Sequence, residues 1–174
     1  MMSVFVPALM MMMMMMMMIP LASASHVQSW EVGSLRGIQS MKVVVEQLDD
    51  DARRCGLTPE DLEQAASRPL LNGGIQIDPN TRLHMYVKVS VLTLDPGLCV
   101  AHMEASVRAS VEAVMPNNPQ PVFVTAVVWS SGKLLSGPRL EFPSRVTAWV
   151  RQAADDFVTK VKSANAKTRG PDRQ

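Results

Sequence analysis

Few residues in this chain of 174 could do chemistry, and their spacing decides most of the cases. His84 and His102 lie in two segments that alternate apolar and polar residues. Met85, Val87, Val89 and Val91 alternate with His84, Tyr86, Lys88 and Ser90. Cys99, Ala101, Met103, Ala105, Val107, Ala109 and Val111 alternate with Val100, His102, Glu104, Ser106, Arg108 and Ser110. Such period-2 patterning predicts two strands, and Asp95-Pro96-Gly97 between them predicts a turn. If both apolar faces are buried together, odd numbers must pair with odd ones. That register sets Ser90 near His102, His84 near Arg108, and Lys88 across from Glu104. The two imidazoles then stand six residues apart, about 20 Å at the rise of a strand. A metal needs its ligands about 2 Å from one centre, so the pair reads as polar face residues.

Other candidate constellations fail on context. Asp49-Asp50-Asp51 lacks the alternating oxygen ligands, turn glycine and distal acid of a calcium loop, and Arg53-Arg54 follow it. It reads as a solvated loop. Ser130-x-x-Lys133 matches the spacing of penicillin-recognising enzymes, but the partner motifs are missing and the motif sits at a strand end or turn instead of opening a helix. Gly132-Lys133 lacks the upstream glycine and the following Ser or Thr of a phosphate loop. A Cys–His nucleophile is opposed by parity, because Cys99 belongs to the buried face and both histidines to the other. These residues point to no catalytic group, metal or cofactor, and the chain is expected not to be an enzyme.

Cys55 and Cys99 have two readings, one disulfide or two separate buried thiols. The compartment bears on the choice. No charged residue precedes Glu31, and residues 4–22 form an uncharged apolar run in which Met10 to Met18 are all methionine. Ala22-Ser23-Ala24 supplies an A-x-A site after it, so residues 1–24 are expected to be a signal peptide cleaved behind Ala24. Export to the periplasm or the outside would favour the disulfide. Left uncleaved, residues 4–22 are long enough to anchor the chain in a membrane. The formal charge of +1 gives no electrostatic case for nucleic acid.

The positioning elements follow from pattern. Residues 25–36 read as a linker, 37–164 as one domain and 165–174 as a disordered tail. The valine-rich segment 39–48 predicts a strand. Thr58 as N-cap, Pro59 at the first helical position and the Leu57/Leu62 staple predict a helix over 58–71, with Pro69 disturbing its last turn. "IQID" predicts a short strand. Val146, Trp149, Val150, Ala153, Phe157, Val158 and Val161 make one apolar stripe on a closing helix. The order β-α-β-β-β-β-α predicts a two-layer α/β (α+β) sandwich, with a mostly antiparallel sheet and two amphipathic helices on one face. The fifth strand, starting at Val122 with a possible return after Gly132, is apolar on both sides. It reads as a covered central strand, or as a partner surface formed by Phe123, Val127 and Trp129.

Taken in order, "KVVVEQLDDDARRCGLTPEDLE", "NGGIQI", "LHMYVKVSVL", "VVWSSGKL" and "VRQAADDFVTKVKSAN" resemble a group of exported bacterial proteins of unknown function. The resemblance covers about Gly37 to Asn165. It implies a small α/β domain similar in architecture to those of the Tol-system periplasmic protein and the curli-secretion family, and it brings no catalytic residues. The chain departs from the group in its two cysteines, Pro69 and the methionine tract. The expected function is that of a non-enzymatic cell-envelope protein binding another envelope protein. The alternative is a carrier of a small apolar ligand or lipid between helices and sheet, which needs an enclosed apolar cavity.

Overall fold

Five strands and three helices follow one another along a computed structural model that describes residues 33–95 and 97–166. They are β1 (Ser40–Val45), α1 (Asp50–Arg54), α2 (Pro59–Asn72), β2 (Gln76–Ile77), β3 (Leu83–Asp95), β4 (Leu98–Met115), β5 (Asn118–Pro138) and α3 (Phe142–Ala166). The strands form one sheet in the order β2-β1-β3-β4-β5. β1 runs parallel to both β2 and β3, and the long ladders β3–β4 and β4–β5 are antiparallel. The sheet is therefore mixed, and its extended part is antiparallel. All these elements belong to the unit Glu31–Gln174. The segment expected to be a signal peptide, Ala22 and Ala24 included, and the tail beyond Ala166 lie outside the described residues.

Local chemistry sets the helix ends. Thr58 Oγ1 accepts the N–H of Asp61 at 3.2 Å and satisfies a donor that the first turn of α2 leaves free. Leu57 and Leu62 are both buried, as a staple requires. Pro69 stays inside the helix, fully buried, and Gly73 caps it by donating to the Pro69 carbonyl at 2.8 Å. Gly73 has ordinary helical backbone angles, so its need for glycine is spatial: a Cβ there would lie 2.5 Å from Val158 Cγ1 of α3. The acidic triplet is no loop. Asp49 caps α1 through Oδ1, which accepts the Ala52 N–H at 2.7 Å, while Asp50 and Asp51 pair with Arg53 and Arg54 one turn on. Acid first and base last suits the helix dipole.

Alternation builds the layers. Met41, Met85, Val87, Val89, Val91, Cys99, Ala101, Met103, Ala105 and Val107 are buried on the face that α2 and α3 cover. The stripe on α3 meets them, with Val146, Trp149, Val150, Ala153, Phe157, Val158 and Val161 all buried. Leu35, in the stretch read as linker, is only 1% exposed and belongs to this core. The folded domain thus begins before Gly37, which also donates its N–H to Asn165 Oδ1 at the end of α3.

The register across β3 and β4 matches the parity argument, with His84 opposite Arg108, Lys88 opposite Glu104 and Ser90 opposite His102. The turn differs by one residue. Asp95 pairs with Leu98, and Leu94 is an extra residue at a bulge. β5 departs further from expectation. It is an uninterrupted strand of 21 residues at the edge of the sheet, with no return after Gly132. β4 and β5 also outrun β3, whose pairing stops at Leu83–Ala109, so their far ends project as a two-stranded arm. Pro119 and Pro121 lie in that edge strand, where a missing N–H costs no ladder bond.

Candidate functional site

Among the described residues, no helix covers the second face of the sheet, which therefore presents the even-numbered side chains of β1, β3 and β4. The paired residues cross it in rows. Lys42, His84, Arg108 and Val127 form one row, and Val44, Tyr86, Ser106 and Ser130 form the next. Lys88, Glu104 and Gly132 form a third, and Ser90, His102 and Leu134 a fourth.

β5 reaches this face through a change of parity. Val107 pairs with Trp129, but Arg108 pairs with Val127, so Val128 is an extra residue in β5. An inserted residue turns the strand over relative to its neighbour. Ahead of the bulge, Phe123, Thr125 and Val127 lie on the uncovered face. Beyond it, Ser130, Gly132 and Leu134 do. Trp129 falls on the other side, 4% exposed, with its ring 5.4 Å from that of Phe157. The expected row of Phe123, Val127 and Trp129 is therefore divided. Phe123 and Val127 are 66% and 55% exposed, and Trp129 is core. Leu134, at 73% exposure, takes the place the tryptophan was assigned. β5 is consequently not a covered central strand but an edge strand with an apolar outer row.

Two arginines stack on the aromatic side chains of this face. The Arg108 guanidinium lies 3.9 Å from the Tyr86 ring centre, and that of Arg82 lies 5.3 Å from Phe123. Arg108 is also held by Glu104 at 3.6 Å and donates Nε–H to Ser106, a serine buried beneath it. Lys88 lies 3.7 Å from Glu46. Burial, then a hydrogen bond to Glu46 and its negative charge, push the Tyr86 phenol above its ordinary 10.0, against the pull of Arg108. Burial first, then the charges of Lys42 and Arg108, lower His84 from its ordinary 6.5. The two arginine stacks escaped the sequence reading because each joins residues far apart in the chain.

The remaining candidates are kept apart by the same geometry. Ser130 is on the uncovered face and Lys133 faces the other way, opposite Met103, so the S-x-x-K spacing brings no serine and lysine together. Cys55 and Cys99 form a disulfide with Cα atoms 6.3 Å apart, tying the end of α1 to the start of β4. Between β5 and α3 lies an open recess of about 330 Å³ lined by Trp129, Ser130, Ser131, Asp156, Thr159 and Lys160. It is open to solvent and mixes the Trp129 ring with polar side chains. Among the described residues no helix is long and apolar enough to cross a membrane.

No protein-family model and no curated protein matches the sequence. Among solved structures, the chain is similar to a PelC dodecamer subunit from Paraburkholderia phytofirmans, at 18% identity over 72% of this chain and 86% of that one, with a TM-score of 0.38. It is also similar to a minor lipoprotein from Acinetobacter baumannii, at 12% identity over 79% of this chain and 97% of that one, with a TM-score of 0.31. Likenesses this remote bear on neither mechanism nor partner.

Proposed function

We propose that this chain is an exported, non-enzymatic envelope protein that binds another protein through the uncovered sheet face and the β5 edge. The observation that carries the reading is the exposed row Phe123, Val127 and Leu134 on an edge strand. An exposed apolar row flanked by polar side chains is the ordinary form of an interaction surface. Stacked arginine and aromatic pairs beside it are the residue types that dominate binding energy in interfaces. A free edge adds unpaired backbone N–H and C=O groups that a partner strand can meet. The apolar N-terminal run, the Ala22-Ser23-Ala24 site and the disulfide support export.

The test is site-specific photo-crosslinking in intact cells. A photo-reactive phenylalanine analogue at position 127 is expected to give a discrete protein adduct, and the same analogue at Gln64, exposed on α2, is not. Adducts of equal yield from both positions, or none from position 127 in a protein that co-purifies with lipid, would overturn the reading in favour of the carrier.

A further inference from the structure

We propose that the uncovered face takes an acidic protein segment, with carboxylates over the Lys42–His84–Arg108 row and an apolar side chain against Val127 and Phe123. The inference rests on the reading that this face meets a partner, and it names the chemistry of that partner. Three basic side chains stand side by side on adjacent strands because Lys42 pairs with His84 and His84 with Arg108. Strands lie about 4.8 Å apart, so the row spans about 10 Å at the backbone, the reach of two carboxylates on one short segment. Arg82 adds a fourth basic group at the Phe123 end. The same row ends in Val127, which puts an apolar seat next to the charges.

Charge accounting favours an acidic partner over water alone. The carboxylates of Glu46 and Glu104 are already met by Lys88 and Arg108. Among the described residues, Lys42 and Arg82 have no carboxylate within ion-pair distance. Burial and the neighbouring cations keep His84 mostly neutral near pH 7. An anion over the row would reverse part of that effect and draw a proton onto the imidazole. The charged groups that face His84 are Lys42, beside it on β1, and Arg108, opposite it on β4, and Tyr86 follows on its own side of β3. A uniform polyanion fits less well. Glu46, Glu104 and Glu112 interrupt the positive field, and the whole chain carries only +1. A segment that alternates acidic and apolar residues matches the mixture.

The experiment follows the His84 imidazole and the backbone amides of the folded chain by NMR. The probe is a blocked peptide of three Leu-Glu repeats, with a Leu-Gln peptide as control. Saturable shifts are expected at Lys42, His84 and Arg108 with a dissociation constant on the order of 1 mM. His84 should titrate at higher pH in the complex. Binding should then strengthen as pH falls below 6.5, until the peptide's own carboxylates protonate near 4.3. Lys42→Gln should weaken binding by about fivefold, and Lys42→Glu by more. Equal shifts with the Leu-Gln peptide, no saturation, or tighter binding of heparin or of phosphatidylglycerol vesicles at the same residues would each overturn the inference. Its failure is separable from that of the proposed function. Adducts at position 127 that persist unchanged in Lys42→Glu leave a partner but remove the acidic segment. Peptide binding without any adduct does the reverse.

Discussion

Removing the Cys55–Cys99 disulfide is the perturbation whose size the structure fixes best. The bridge spans 44 residues and encloses α2, β2 and all of β3 in one loop. Closing a loop of that length lowers the entropy of the unfolded chain by about 13 cal/mol/K, which amounts to about 4 kcal/mol at 25 °C. Both cysteines are buried, at 1% and 0% exposure, so replacement must avoid placing new hydroxyls in the core. The Cys55→Ala/Cys99→Ala double variant is the appropriate form. Urea unfolding, followed by circular dichroism, should show a stability loss near 4 kcal/mol. It should also show a steeper dependence on urea, because the unlinked unfolded chain exposes more surface. Most of the loss should appear on adding reductant to the unfolded wild type before refolding. A loss below about 1 kcal/mol, or an unchanged slope, would refute the entropic account and imply that the loop is already held together in the unfolded ensemble.

The divided row on β5 makes an opposed pair of predictions. Trp129→Ala should cost about 3–5 kcal/mol by emptying the space beside Phe157, whereas Phe123→Ala should change stability by no more than about 0.5 kcal/mol. Thermal melts of the two variants check it, and equal costs would contradict the bulge at Val128. Gly73→Ala should destabilise by about 1–3 kcal/mol through its clash with Val158, despite the better helix propensity of alanine. Restoration by Val158→Ala in the same chain would identify that contact as the cause. His84 is lowered from 6.5 in the folded state, so the unfolded chain binds the proton more readily. Stability is then full above that value and falls as pH drops below it. Urea midpoints at pH 7.5 and 5.5 should differ more in the wild type than in His84→Gln.

Much of the fold was legible because its signals are local. The caps and staple of α2 act within one turn, and the stripe on α3 repeats within the helix itself. The pairing of His84 with Arg108 followed from parity, since two strands that bury the same face have few registers open to them. The disulfide was likewise one of the two readings that the cysteine count left open. The acidic triplet was misread because its helix is short. Five residues give no periodicity to detect, and only the cap Asp49 signals it.

The sequence by itself determined which face of β3 and β4 is buried and where α2 and α3 run. Tertiary structure alone decided that β1 lies between β2 and β3, that β5 is an edge, and that Trp129 is core while Phe123 and Val127 are not. The physical reason is the extra residue at Val128. On a strand apolar on both sides, parity does not say which side is buried, and one bulge reverses the answer. Only pairing with β4 and the position of Phe157 on α3 fix it.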